Sequence, residues 1–553
     1  SPYGTITSAV EGAALNLGEA MTPITLNYTV NANGGGSSGG GASNASSFAY
    51  LNNQVSAGYR HTCGILGNGS LMCWGVDTHG QLGDGGSYGT NVDRYSPTTF
   101  VDLPQGRTAV AVSASGHTCA ILDNGSLMCW GRDHFGQLGV GGSGAFPYYA
   151  RSSPLYVDLG TGRTAVAISA GSQHTCAILD DGDMKCWGSD QSGQLGEDSP
   201  GYSVHMNRAT PTSVDLPTGR TAVAVAAGHM HTCAILDNGS LMCWGKDDYG
   251  QVGDGGNIET STTQPQFVDL GTGRTAVEVA AGGYHTCAIL DNGDLKCWGS
   301  HQHGELGVGG TGNSSRMYMT SPPTTAVDLG AGRTALALGL GDHHTCAILD
   351  NGDAKCWGLD GFGALGDGGT QFSYAINLTS PSSTPIDFGT GRTAVAIDAG
   401  SQHTCAIVDN GTMMCWGYNN DGELGLGNRT HQSLPISTHG NNAWNTTTTT
   451  ITWETHPALP AGMSISAGTI SGTPSVYALN QTYTIYANQS GYSTTHELYF
   501  SVDTDNAHTV VENQTIDPIG FHPPFNNGTT TWTVSPALPG NLSIDGSTGE
   551  ITG

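Results

Sequence analysis

Residues 117–131 read HTCAILDNGSLMCWG, and relatives of this segment occur seven times along a chain of 553 residues. Their cysteines fall into pairs: Cys63 with Cys73, Cys119 with Cys129, Cys176 with Cys186, Cys233 with Cys243, Cys287 with Cys297, Cys346 with Cys356, and Cys405 with Cys415. Every pair has a separation of ten and the pairs use all 14 cysteines. Successive first cysteines lie 56, 57, 57, 54, 59 and 59 residues apart. Self-similarity at such a period marks an architecture built by stacking one supersecondary unit.

Each copy reads as a strand, a turn and a returning strand. Cys119-Ala120-Ile121-Leu122 has β character, Asp123-Asn124-Gly125 supplies turn residues, and Leu127-Met128-Cys129-Trp130 runs back. A three-residue loop sets Cys119 opposite Cys129, where facing positions satisfy disulfide spacing. Zinc sites favour ligand pairs two to four residues apart, so a separation of ten points to a cross-strand disulfide. A loop this short places each bond at the low end of the usual ~2–4 kcal/mol.

Other signals share the period. A GQLG-like turn follows each hairpin, at 80–83, 136–139, 193–196, 250–253, 304–307, 363–366 and 422–425. A variable loop, a short VDL-type strand and then, in six copies, a GRTAVAV-like strand complete the unit. The arginines of that strand are Arg107, Arg163, Arg220, Arg274, Arg333 and Arg392. Aspartates lie five residues before them, at Asp102, Asp158, Asp215, Asp269, Asp328 and Asp387. A site seldom occurs six times in one chain, so these pairs read as salt bridges fixing strand entry. His61, His117, His174, His231, His285, His344 and His403 read in the same way, as hydrogen-bonding core or turn residues and not metal ligands. Trp74, Trp130, Trp187, Trp244, Trp298, Trp357 and Trp416 read as packing between units.

About four strands fit one period, and seven four-stranded units arranged radially make an all-β propeller of seven blades. Residues 48–55 stand where the first unit lacks a GRTAV strand, and 433–437 supply the last outer strand, so the ring closes with seven complete blades. The run AGYRHTCGILGNGSLMCWGVDTHGQLGDGG at 57–86 resembles the regulator of chromosome condensation repeat, and the resemblance extends over about 47–440. That resemblance implies the propeller fold. It leaves activity open, because the family includes a nuclear guanine-nucleotide exchange factor, a plant ultraviolet photoreceptor and a bacterial β-lactamase inhibitor. The paired cysteines are a departure from its intracellular members.

Seven disulfides imply an oxidising compartment outside the cytosol. Glycine makes up 85 of 553 residues while charged residues are 11%. N-x-[ST] sequons at Asn27, Asn68, Asn124, Asn238, Asn377, Asn428, Asn445, Asn480, Asn513 and Asn541 indicate a glycosylated surface protein. The chain begins at Ser1 without a signal-peptide pattern, which reads as a processed product. No apolar run is long enough for a membrane span. A net charge of −28 argues against nucleic acid as a partner. Asp84, Asp254 and Asp367 follow GQLG-like turns without EF-hand spacing and read as solvated loop residues. No cofactor is expected.

After about residue 440 cysteines stop and Thr/Ser-rich strands take over. TWETHPALPAGMSISAGTISGTP at 452–474 matches TWTVSPALPGNLSIDGSTGEITG at 531–553. Both resemble immunoglobulin-like modules found in tandem on prokaryotic surface proteins. The organisation expected is an N-terminal strand segment at 1–33, a Gly/Ser-rich linker at 34–46, the propeller at 47–440, one immunoglobulin-like module at 441–504, and a second, incomplete one at 505–553. The opening strand of the first module matches 15–24, so the propeller reads as an insertion within that module. The second module lacks its closing strands, and Ser1-Pro2 continues EITG as Thr473-Pro474 continues TISG. Residues 1–14 are therefore expected to complete a neighbour's last module, giving a head-to-tail filament. The other reading is a slice of a longer tandem-repeat chain. The functional expectation is an extracellular fibre subunit whose partners are copies of itself. The alternative is an adhesin whose propeller loops capture a protein or glycan. Loops at 85–96, 141–151 and 309–321 vary most between units, and their Tyr88, Tyr95, Phe146, Tyr148 and Tyr149 are candidate contact residues. No nucleophile elbow, zinc motif or phosphate loop stands out, so no enzyme activity is expected.

Overall fold

The computed structural model describes residues 54–85, 92–141, 150–197, 207–256, 261–310, 318–369 and 377–438, together with strand segments between 5 and 30 and between 452 and 552. Blade 3 shows the common plan. Ala165–Ala170 pairs antiparallel with His174–Leu179, that strand with Met184–Gly188, and the last with Arg208–Ser213. Six blades have four strands in this up-and-down order. In blade 1, Val55–Ala57 takes the innermost place, and the outer edge is reduced to the bridges Met72↔Phe100 and Gly75↔Arg94. Residues 48–53 lie outside the described residues.

The residue pattern follows from position in the blade. The second strands, HTCAIL in most copies, are buried along their whole length, because a neighbouring blade covers each face. After the His-Thr pair they read as a continuous apolar run and lack a period-2 alternation of buried and exposed residues. The outer strands are half-exposed and carry Pro154, Pro211, Pro265 and Pro435, a residue that edge strands tolerate and central ones do not.

The cysteine pairing expected from the hairpin is found in every blade. In register across the second and third strands, Cys63 faces Cys73, Cys119 faces Cys129, Cys176 faces Cys186 and Cys233 faces Cys243. Likewise Cys287 faces Cys297, Cys346 faces Cys356 and Cys405 faces Cys415. All seven pairs are bonded, each with its Cα atoms 4.1 Å apart, and no cysteine is left free. The bonds lie in the blade interior, where Cys243, Cys297 and Cys356 are at most 3% exposed.

Polar contacts repeat at every blade interface. Each repeated histidine is fully buried and its Nε2 lies 2.6–3.0 Å from the threonine Oγ1 of the next blade's second strand. The series runs His61–Thr118, His117–Thr175, His174–Thr232, His231–Thr286, His285–Thr345, His344–Thr404 and finally His403–Thr62, which closes the ring. Each threonine hydroxyl donates to a backbone carbonyl in the preceding blade's GQLG-like turn, as Thr232 does to Gln194 at 2.8 Å. The hydroxyl therefore accepts from the imidazole, which fixes the neutral Nε2–H tautomer. The same carbonyl also accepts the tryptophan indole N–H, as from Trp244 to Gln194 at 3.0 Å. At the closing seam Trp74 reaches Glu423 at 2.8 Å, and the Ala57 N–H donates to Asp398 at 2.9 Å. The tryptophans sit in clusters that span two blades: Trp187, for example, packs with Cys119, Ile121 and Leu127 of blade 2.

The Asp/Arg expectation needs correction. Arg163, Arg220, Arg274, Arg333 and Arg392 pair with the hairpin-turn aspartates Asp180, Asp237, Asp291, Asp350 and Asp409 at 3.0–3.3 Å, and Arg107 with Asp123 at 3.1 Å. Four of the six VDL aspartates turn back on their own backbone: Asp158, Asp269, Asp328 and Asp387 accept the N–H two residues on, whereas Asp102 and Asp215 have Pro104 and Pro217 at that position. A short carboxylate satisfies this local Asx turn, leaving the arginine to reach across to the turn of its own blade. Asp84 is not solvated either. It is ion-paired to Arg94 at 2.7 Å with its side chain 7% exposed. Asp254 and Asp367 cap the N–H groups of Gly256 and Gly369.

Segments on either side of the propeller share two further sheets. One has the order Thr5–Ser8, Ile24–Thr29, Thr469–Gly472, Met463–Ser466. The other joins Ala14–Asn16, parallel, to Tyr492–Asp503, then Ala478–Gln489 and Thr452–His456. Beyond 504 the described residues comprise Ser543–Ile544 paired with Ile551–Thr552. Among the described residues no helix is long and apolar enough to cross a membrane.

Candidate functional site

An up-and-down blade puts its first and third connections at one end and its second, with the link to the next blade, at the other. The second end carries the hairpin turns and, in six of the seven copies, the Arg–Asp pairs, which are nearly identical from blade to blade. The first end carries the short loop before each repeated histidine and the long loop holding the GQLG-like turn. Here the copies diverge. The residue before the repeated histidine is Arg60, Gly116, Gln173, Met230, Tyr284, His343 or Gln402. The residue before the GQLG-like turn is His79, Phe135, Ser192, Tyr249, His303, Phe362 or Asp421. Divergence among copies that are otherwise constrained by a shared fold marks this loop face as the candidate site.

Two groups form on it. In the first, His229 of blade 4 reaches over blade 5 to Asp342 of blade 6, with Nε2 2.8 Å from Oδ1. Gly283 lies beneath this bridge: a Cβ there would stand 2.9 Å from the Asp342 carbonyl oxygen and 3.3 Å from His229 Cε1. Asp342 also accepts the Ser401 hydroxyl of blade 7 at 2.6 Å. Burial pushes the imidazole of His229 down, but the Asp342 carboxylate outweighs it and the net shift is upward. The carboxylate stands between hydroxyl and imidazole, so this is not a nucleophile activated by a base. Tyr284 meets His229 and Tyr249 edge-on, with ring centroids at 5.2 and 5.3 Å, and stacks on His343 at 5.9 Å.

The second group surrounds a cavity of about 300 Å³ lined by Tyr59, Arg60, Phe362, Ser401, Gln402, His403, Tyr418 and Asn420. Arg60 is ion-paired with Asp421 and lies 5.8 Å from the Tyr418 ring centroid. Phe362 packs against Tyr418 and His431 at 4.9 and 4.8 Å. Among the described residues Phe362 is also the non-glycine residue with positive φ, at +60°. Its cause is local. In the other blades a Gln or Glu at the second turn position accepts an N–H two residues earlier, as Gln137 does from Phe135 at 2.8 Å. Blade 6 has Ala364 there, and the segment forms a 3₁₀ turn at Gly361–Gly363.

Buried carboxylates with raised pKa line the ring but are repeated, hence structural. Burial pushes Asp77 and Asp247 up to about 7, partly opposed by the N–H groups of Leu82 and Val252 that they accept. Sequence reasoning passed over these residues, although an aspartate three positions after a repeated tryptophan was a visible signal. Sequons at Asn68, Asn124, Asn238, Asn377 and Asn428 are exposed, the first three on hairpin turns. Asn445, Asn513 and Asn541, and the side chains of Asn27 and Asn480, lie outside the described residues, as do Tyr88, Phe146, Tyr148 and Tyr149. Tyr95 is described and holds Arg429 over its ring at 4.6 Å.

Known proteins share this frame. The family described as "RCC1-like domain" matches residues 38–376, "Regulator of chromosome condensation (RCC1) repeat" matches 394–423, and "Putative Ig domain" matches 423–504. The ultraviolet-B receptor UVR8 of Arabidopsis thaliana is 28% identical over 69% of this chain and 80% of its own length. Human E3 ubiquitin-protein ligase HERC2 is 26% identical over 65% of this chain, which spans 7% of that protein. Solved yeast RCC1 superposes with a TM-score of 0.57 at 21% identity, covering 78% of this chain and 92% of that one. Human WBSCR16 gives 0.56 at 20%, covering 72% and 98%. At these identities the two structures speak to fold. With seven bonded cysteine pairs and an Ig-like domain this is a secreted or surface protein, and by its propeller the chain belongs to the RCC1-like domain family.

Proposed function

We propose that this protein is a non-enzymatic surface binding protein, in which the Ig-like module displays the propeller and the loop face captures a protein or glycan. The divergence of that face carries the reading: aromatic and histidine side chains gather at positions that are interchangeable elsewhere in the fold, while the turn face repeats. Aromatic rings beside hydrogen-bonding groups suit both protein hot spots and sugar faces. Binding of the full chain to glycan arrays and to candidate surface proteins tests it. Tyr59→Ala with Tyr418→Ala should abolish capture, while Arg163→Ala with Arg220→Ala on the turn face should leave it intact. The opposite pattern would defeat the proposal.

A finer form makes the protein a fibre subunit joined head-to-tail to copies of itself. Thr5–Ser8 is an edge strand of its sheet, paired to Ile24–Thr29 of the same chain. Polymerisation by strand complementation requires that strand to leave its own sheet and add to the incomplete second module of a neighbour, a head-to-tail contact that does not close on itself. Electron microscopy showing only dispersed single particles at all concentrations would exclude it.

A further inference from the structure

The seven copies allow each blade interface to be compared with six others. Three equivalent positions recur at each interface: the residue before the GQLG-like turn, the second residue of that turn, and the residue before the next blade's repeated histidine. Blades 1 to 4 contribute Gln81, Gln137, Gln194 and Gln251 at the middle position; blade 6 has Ala364 and blade 7 Glu423. The junction of blades 5 and 6 alone combines a ligand-type residue at all three positions without an arginine beside them, in His303, Glu305 and His343. Their ligand-type atoms lie within 4.8 Å of one another. The other glutamate, Glu423, accepts the Asp421 N–H, and Arg60 is ion-paired with Asp421, so that interface has a cation already.

We propose that His303, Glu305 and His343 form a binding site for a divalent first-row transition ion of the Zn²⁺ class. Glu305 is wholly buried, and a buried carboxylate needs a compensating charge. Its Oε2 accepts the His303 N–H at 2.8 Å, as Gln does in other blades, which leaves Oε1 directed at the interface beside the Ser300 hydroxyl at 3.3 Å. His343 Nδ1 stands 3.5 Å from Oε1, is buried, and makes no hydrogen bond among the described residues. That spacing matches the edge of a tetrahedron around zinc, about 3.4 Å for ligands at about 2.1 Å. Rotation of the half-buried His303 brings in the third ligand. Tyr284 stacks on the His343 ring and holds its plane. Two imidazoles with one carboxylate favour zinc over the hard ions calcium and magnesium. Three protein ligands leave a fourth position open on the loop face, for water or for a donor from a bound partner.

The test is Zn²⁺ titration of the chelator-stripped full chain by calorimetry, with Co²⁺ absorption as an independent report of nitrogen–oxygen coordination. Glu305→Gln is the decisive variant, since glutamine occupies that position in four blades of the same protein and keeps the His303 N–H partnered. One Zn²⁺ per chain is expected, weakened about tenfold or more by Glu305→Gln and by His343→Ala, with the metal-free unfolding midpoint of Glu305→Gln unchanged. Calcium should not compete. Absence of saturable uptake, or unchanged affinity in either variant, overturns the proposal.

Discussion

Replacing Thr232 by valine tests whether the ring of histidine–threonine bonds holds the blades together. The side chains are nearly isosteric, so the change removes a hydroxyl and leaves packing in place. Thr232 Oγ1 accepts from His174 Nε2 at 2.8 Å and donates to the Gln194 carbonyl at 2.8 Å, all within fully buried surroundings. In the variant the His174 N–H has no acceptor, and a buried donor left unpaired costs ~1–3 kcal/mol. The Gln194 carbonyl keeps the Trp244 indole N–H at 3.0 Å, so its loss is that of one hydrogen bond, about 1 kcal/mol. The sum is roughly 2–4 kcal/mol, localised between blades 3 and 4. Thr232→Ser keeps the hydroxyl and loses one methyl group, about 0.8 kcal/mol. Native-state amide exchange of the intact chain reads both, because a multi-module protein has no single unfolding free energy. Faster exchange is expected in Ala165–Ala170, His174–Leu179 and Ala222–Ala227, with strands of blade 6 little changed. If the valine variant exchanges within about 0.5 kcal/mol of the serine variant, the hydroxyl is not what joins these blades and the reasoning fails.

Substituting Cys176 and Cys186 together by alanine should cost about 2.7 kcal/mol, the chain-entropy value for so short a loop, and lower the thermal midpoint of the propeller; an unchanged midpoint would show the bond to be redundant. The seven ring imidazoles are held far below the ordinary histidine value of 6.5 by burial, to about 3 for His61, His117, His174, His231 and His403 and about 4 for His285 and His344. Unfolding lets them take up protons that the fold refuses. Their contribution is therefore complete above pH 6.5 and is lost as pH falls through their folded values. Asp77 and Asp247 oppose this, since their raised pKa makes a contribution present below 3.8 and lost as pH rises through about 7. Histidine-selective NMR should show seven imidazoles still neutral at pH 5 while His229, raised by Asp342, is protonated; titration of the seven near 6.5 would contradict their burial.

The disulfides and blade count were legible because the partners are ten residues apart and the period repeats seven times. The Arg–Asp pairing was misread because Asp158 and Asp180 both lie within 20 residues of Arg163 in sequence, and only the fold shows that the Asp158 carboxylate has already been taken by the Gly160 N–H while Asp180 meets the arginine. The histidines were rightly read as structural, yet their partners lie 55–60 residues away, or 341 for His403, so no local pattern names them. His303, Glu305 and His343 were invisible as a group for the same reason: two belong to one blade's long loop and the third to the next blade's short one.

The sequence by itself determined the repeating element, its covalent staples and hence the oxidising compartment, since each depends on short-range geometry that a strand–turn–strand must obey. The tertiary structure decided what the seven copies do differently. Ring closure carries one end of every blade onto a common face, so substitutions tens of residues apart become neighbours. Chemistry such as a bridging His–Asp pair or a three-ligand pocket exists only once those loops are brought together.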